Sequence, residues 1–172
     1  MAATYDIATL YSTALRNTHA LEQQGLQQME RQLEGLKNYP QYAQLLRDHI
    51  ATTRTQLQRL DQALSSVGSS ASMLKETVTS VAGTIGAAVH AVAQDETLKN
   101  LYAGYGYQYE QVAAYRSLIV FAEAAGHADH AALFRQSIEE EKRAAQRVDE
   151  ELIEPVTRQY IERTTRGDKA DS

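Results

Sequence analysis

The chain has 172 residues, a net charge of −5, no cysteine, no tryptophan and two prolines, Pro40 and Pro155. That length fits one domain with a sizeable core. The lack of cysteine excludes disulfides, zinc–thiolate sites and thiol catalysis, and the dispersed acidic charge argues against a general nucleic-acid binder.

Segment one, about residues 4–36, carries Ile7, Leu10, Tyr11, Ala14, Leu15, Leu26, Met29, Leu33 and Leu36 largely at steps of three and four. That spacing predicts an amphipathic helix, with Thr4 as its candidate cap and Asn38-Tyr39-Pro40 as its break. Segment two, about residues 40–67, places Tyr42, Leu45, Leu46, Ile50, Leu57, Leu60, Leu64 and Val67 on one face. Pro40 suits the first turn of a helix. The short connection between these segments predicts an antiparallel hairpin.

Segment three, residues 71–93, is rich in small and β-branched residues, including Val78, Val81, Gly83, Ile85, Gly86 and Val89. It is short for a bilayer span and contains Thr77, Thr79, Ser80, Thr84 and His90, so a soluble crossover helix is expected. Segment four, about residues 95–125, has Asp95 as a cap, Gly126 as a stop and a crowd of tyrosines: Tyr102, Tyr105, Tyr107, Tyr109 and Tyr115. Of these, Tyr105, Tyr109 and Tyr115 are expected on one side and Tyr107 elsewhere. Segment five, about residues 127–163, carries Leu133, Phe134, Ile138, Ala145, Val148, Leu152 and Val156, and Pro155 is expected to kink or end it. The whole predicts an all-α, ferritin-like four-helix bundle with a long crossover containing an additional helix. Residues 1–166 are expected to form one domain, and 167–172 a flexible C-terminal tail.

Two carboxylates stand out. Glu22 lies near the centre of the apolar face of segment one, beside Gly25 and Leu26; Glu141 lies on the line Phe134, Ile138, Glu141, Ala145, Val148. A buried carboxylate must be neutralised, hydrogen-bonded or metal-bound. Inward carboxylates on facing helices are how bundles build di-metal centres. Against this, no Glu-x-x-His occurs in the chain, and pairing with Gln, Tyr or Arg in the core competes with ligation. His49 sits on the inner line of segment two. His127 and His130 have ligand-like spacing, but they fall at a helix start, where capping and surface exposure are expected. An interior network of Tyr, Gln and Glu is the favoured arrangement, with Gln108 and Gln111 as partners for buried tyrosines.

At these residues the chain resembles the YciE/YciF-type ferritin-like proteins, a bacterial family of unknown function, over about residues 10–151. The family's second helix reads His-Leu-x-Glu-Thr with a downstream His, Arg and Leu. Here the stretch is His49-Ile50-Ala51-Thr52-Thr53, then Gln56, Arg59 and Leu60. The Glu and downstream His positions are therefore Thr52 and Gln56. The family's Glu-His-Tyr-Glu-Ile-Ala-Ala-Tyr stretch is similar to residues 108–115, its glutamates aligning with Gln108 and Gln111 and its His with Tyr109. Ile138, Glu140, Glu141, Lys142 and Ala144 match the family's last-helix motif, with its Asp replaced by Ala145.

The resemblance implies a stress-linked, dimeric bundle with a di-metal centre. Thr52, Gln56, Gln108, Tyr109 and Gln111 are expected as a polar interior at former ligand positions, because amides and hydroxyls are weaker ligands for iron or manganese than carboxylate and imidazole. The expected protein is therefore non-catalytic, has a degenerate metal site and carries no cofactor. One alternative is a redox protein binding iron or manganese through Glu22, Glu141 and His49. The other is a small-molecule binder using the bundle interior. A homodimer is expected, without nucleic acid or membrane as partner. The N-terminus shows no basic region followed by an apolar run, so a cytoplasmic location is expected.

Overall fold

The structure, a computed structural model, describes residues 5–69 and 96–168. Five helices make up the described residues: α1 (Ile7–Glu34), α2 (Pro40–Ser66), α3 (Glu96–Ala124), α4 (Ala128–Glu151) and α5 (Ile153–Thr165). The expected crossover helix over residues 71–93, the Thr4 and Asp95 caps and the last four residues of the tail lie outside them.

The helix ends follow local chemistry. Asp6 caps α1: its Oδ1 accepts the Thr9 N–H at 2.7 Å. This satisfies one orphan donor and places a negative charge at the positive end of the helix dipole. Pro40 opens α2 at a position whose N–H would have no helical partner. The α3–α4 turn closes on Gly126, with φ at 85°. There the His127 N–H reaches Ala122 O at 2.8 Å and the Gly126 N–H reaches Glu123 O at 3.1 Å. This pair of bonds needs a left-handed residue, which glycine supplies without strain.

Pro155 acts three residues upstream of itself. The helix breaks at Leu152, between α4 and α5, because Pro155 has no N–H for the Glu151 carbonyl. That carbonyl instead accepts the Gln41 side-chain amide at 2.9 Å, tying the break to the start of α2.

α1 packs on α2 and α3, and α4 packs on α3 and α2, so α1 and α4 face each other across the bundle diagonal. Side-chain pairs fix the register. On α1 and α3, Glu22 meets Gln111 and Gly25 meets Tyr107; on α2 and α4, Gln56 meets Glu141 and Ser66 meets His130. Rising numbers on one helix meet falling numbers on the other, so both pairs are antiparallel. Ser69 at the end of α2 bonds Arg16 near the start of α1. Glu96 at the start of α3 shares a surface cleft with Leu36 and Tyr42 at the α1–α2 turn. The chain between α2 and α3 therefore joins opposite ends of the bundle, as the expected crossover requires.

Two apolar clusters fill the interior. One contains Leu26, Tyr42, Leu46, Leu101, Val148 and Leu152. The other contains Tyr11, Leu15, Leu60, Tyr115, Leu118 and Phe134. Between them every long helix presents buried polar groups.

Candidate functional site: a buried carboxyl–amide belt

Glu22 on α1 and Glu141 on α4 are both fully buried. They occupy the bundle diagonal because each replaces an apolar residue on an inward line. Gln111 on α3 donates its Nε2 to Glu22 Oε2 at 2.6 Å. Gln56 on α2 donates its Nε2 to Glu141 Oε1 at 2.8 Å. His49, two turns before Gln56 on α2, is buried, with Nε2 3.5 Å from Glu141 Oε2. Thr53, Gln108 and Tyr115 complete the buried belt.

Gln56 also donates to Glu140 at 3.2 Å. Glu140 is held by Arg59 in a two-pronged pair at 2.6 and 2.8 Å, and Arg59 reaches Ser137 at 3.1 Å. This pair at the edge of the belt keeps Arg59 engaged with Glu140. Neither Glu22 nor Glu141 has an arginine or lysine partner among the described residues.

The electrostatics follow from that arrangement. Burial pushes the Glu22 carboxyl up to about 7, against weaker lowering by its hydrogen-bond donors. Burial, then the charge of Glu22, pushes Glu141 up to about 8. Burial pushes His49 down to about 4, so its imidazole is neutral. Burial beside Glu22 also holds the Tyr115 hydroxyl well above its usual range. At neutral pH the pair shares at least part of a proton load instead of two full charges.

Several buried oxygens in the belt have no hydrogen-bond partner among the described residues: Glu22 Oε1, Glu141 Oε2, Thr53 Oγ1, Gln56 Oε1, Gln108 Oε1 and Gln111 Oε1. A di-metal carboxylate centre wants a Glu from two helices and a Glu-x-x-His from the other two. Here α3 supplies two amides and a phenol, and α2 a hydroxyl, an amide and one imidazole. The amide N–H groups of Gln56 and Gln111 occupy one oxygen of each carboxylate, and an N–H donor cannot ligate a cation. The residues present do not fit a di-iron or di-manganese carboxylate centre.

Glu22, Glu141 and His49 are thus brought to one buried belt, with Gln56, Gln108 and Gln111. Two expected members are not there. Thr52 is half-buried at the helix edge, its hydroxyl bonded back to Asp48 O at 3.2 Å; Thr53 takes the inward place. The spacing His49, Thr53, Gln56, Leu60 would have identified it, since steps of four, three and four stay on one helix face. Tyr109 is 51% exposed and forms an edge-to-face pair with Tyr105, centroids 5.5 Å apart. It shares a face with Tyr105, as expected, but that face is not the one that buries Tyr115. Tyr107 packs inward on α1: its hydroxyl donates to Leu21 O at 2.5 Å. Its ring fills the space where a side chain on Gly25 would stand.

At the opposite end of the bundle His127, Asp129 and His130 bring ligand-type atoms within 4.8 Å of one another. His130 is buried instead of surface-exposed, and His127 makes no side-chain cap bond. Both ring nitrogens of His130 are engaged, Nδ1 with the Tyr11 hydroxyl at 2.7 Å and Nε2 with Ser66 Oγ at 3.1 Å. The two imidazoles stack in planes 5° from parallel, so their in-plane lone pairs do not converge. This cluster is a hydrogen-bonded stack joining α1, α2 and α4.

The two antiparallel hairpins, the crossover topology and the diagonal carboxylates define a ferritin-like four-helix bundle protein. The chain belongs to the DUF892 family, a domain of unknown function whose model matches residues 6–162, in agreement with the resemblance read from its motifs. It is similar in structure to a protein from Xanthomonas campestris pv. campestris, at 19% identity and a TM-score of 0.75, covering 92% of this chain and 98% of that one. It is also similar to YcfI of Rhodopseudomonas palustris, described as a putative structural protein, at 23% identity and a TM-score of 0.64 (85% and 94% covered). A third likeness is to the E. coli stress protein YciF, at 18% identity and a TM-score of 0.63 (85% and 94% covered). At these identities the likeness is one of fold.

Proposed function

We propose that this protein is a non-catalytic, stress-associated ferritin-like bundle in which carboxyl–amide pairs stand in place of a di-metal centre. One observation carries the reading: on opposite sides of the belt, Gln111 donates to Glu22 and Gln56 to Glu141. The amide hydrogens and the carboxyl protons supply the positive charge that metal ions supply in a loaded bundle. The fold of the E. coli stress protein YciF supports the association with stress. On this reading the protein works in the cytoplasm as a homodimer, and the exposed Tyr102, Tyr109 and Val120 of α3 give it apolar contact surface. No helix among the described residues is long and apolar enough to cross a membrane.

The competing reading is a reduced iron or manganese site on Glu22, Glu141 and His49, favoured by the unpartnered Glu22 Oε1 and Glu141 Oε2. One experiment separates the two: elemental analysis after anaerobic incubation with ferrous iron and with manganese, on the parent and on Glu22→Gln/Glu141→Gln. The amide-paired belt takes up no stoichiometric metal in either protein. Near-stoichiometric metal that disappears in the double variant would replace the proposal with the metal reading.

A further inference from the structure

A cavity of about 40 Å³ lies at the junction of the polar belt and one apolar cluster, lined by residues of α1, α2, α3 and α4. Gln28, Met29, Leu46 and Gly104 are part of that lining. Three polar side chains line it that are more than nine-tenths buried and carry an unpartnered atom: His49 Nδ1, Gln108 Oε1 and Gln111 Oε1. Three tyrosines, Tyr42, Tyr105 and Tyr107, also line it.

These groups share one preference. Amide oxygens accept hydrogen bonds. Nε2 of the His49 ring lies 3.5 Å from Glu141 Oε2, and with the ring proton assigned to that nitrogen the unpartnered Nδ1 is a third acceptor. Tyrosine faces attract cations through the ring quadrupole. Among the described residues no lysine or arginine lines the cavity, and Gln111 connects it directly to the Glu22 carboxyl. A ligand with three N–H donors, a positive charge and a short apolar body meets every one of these features. An anion finds hydroxyl and amide donors but no cationic side chain among the described residues of this lining.

We propose that this cavity is a binding site for a small primary alkylammonium ion, its –NH3⁺ group on Gln108, Gln111 and His49 and its alkyl end toward Met29 and Leu46. The volume holds about three water-sized groups, so the ligand, counting its nitrogen, has about two carbons. The ammonium site rests on the metal-free reading at His49, since a metal on Nε2 would leave Nδ1 protonated; the elemental analysis above tests that reading separately.

The test is an NMR titration of the isotope-labelled full-length protein with ethylammonium chloride, with ethanol and sodium acetate as neutral and anionic counterparts of the same size. So few atoms limit the affinity to a Kd on the order of 1 mM. Saturable amide shifts are expected in α1 and α3 around Gly25 and Gly104. Ethanol should bind at least about tenfold more weakly, and acetate should not saturate. Gln108→Met keeps the bulk and removes an acceptor, and should weaken ethylammonium at least about tenfold. Gly104→Leu provides the control that stays folded: no atom lies within 4 Å of a Cβ there, and leucine is a better helix former than glycine. It should abolish the shifts while melting no lower than the parent. Absence of saturable shifts, ethanol binding as tightly as ethylammonium, or unchanged binding in Gly104→Leu would each overturn the proposal.

Discussion

The apolar layers of the bundle and the polar belt between them are built on the same four helices, yet different physics holds them. In the layers, side chains such as Leu60, Phe134 and Leu152 are fully buried, and their stabilisation scales with apolar area removed from water. In the belt, Glu22, Gln56, Gln111 and Glu141 are as deeply buried, but each must recover lost hydration through a partner. The layers supply the stability of the fold, while the belt supplies its register and its chemistry. A helix slid by one residue would still bury leucines but would separate Gln111 from Glu22 and Gln56 from Glu141.

The largest expected effect lies in an apolar layer. Phe134 has no exposure and packs against Tyr115, with ring centroids 6.1 Å apart. Phe134→Ala should cost about 3–5 kcal/mol in urea unfolding, through lost transfer energy and the cavity left behind. A loss below about 1 kcal/mol would mean that the layer collapses around the gap, and the contrast between rigid layers and a specified belt would fail.

The belt should answer to pH where the layers do not. Glu22 and Glu141 titrate near 7 and 8 in the folded protein, against an ordinary value of 4.5. A raised carboxyl pKa favours the folded state when the group is protonated. That stabilisation is complete below about pH 4.5 and fades as pH rises through 7 to 8. His49 works in the other direction, since its depressed value of about 4 costs stability as pH falls below its ordinary 6.5. Subtracting the unfolding free energy of Glu22→Gln/Glu141→Gln from that of the parent removes the histidine contribution. The difference should be small near pH 4.5 and should favour the double variant by a few kcal/mol at pH 9. A difference that stays flat across this range would show that the carboxyls are not held protonated by the belt.

Much of this contrast was legible in the sequence, for identifiable reasons. Glu22 and Glu141 interrupt apolar lines of period 3.6, and a charged residue on such a line has nowhere to point but inward. The hairpins followed from short loops, and the crossover from the order of segments. Local errors arose where a neighbour one position away decided the outcome. Thr52 and Thr53 are chemically alike, and only helical phase relative to His49 selects Thr53. Tyr109 lay beyond the reach of periodicity because α3 is apolar on its outer face too, with Tyr102 and Val120 exposed. No single stripe then marks the inside. The burial of His130 depends on Tyr11, 119 positions away, a pairing that no local spacing encodes. The break at Leu152 was displaced from Pro155 because the group that loses its partner is the carbonyl four residues earlier.

The smallest expected effects come from two glycines, and they sharpen the comparison because they have opposite signs. Alanine is the better helix former at either position by about 1 kcal/mol, so propensity alone predicts that both substitutions stabilise. Gly25 faces the belt: a Cβ there would lie 2.6 Å from Tyr107 Cε1. The ring cannot move aside freely, because its hydroxyl is held by the Leu21 carbonyl on the same helix at 2.5 Å. Gly25→Ala must push α3 away from α1 or break that bond, and should destabilise by about 1–3 kcal/mol despite the propensity gain. Gly104 stands two turns earlier on α3 than Gln111, with no atom within 4 Å of its would-be Cβ. Gly104→Ala should therefore raise stability by about 0.5–1 kcal/mol. Thermal melts of the two variants read both signs. If Gly25→Ala also stabilises, the α1–α3 contact is looser than the Tyr107 bond implies, and the close approach that sets the Gln111–Glu22 distance is not enforced by this glycine.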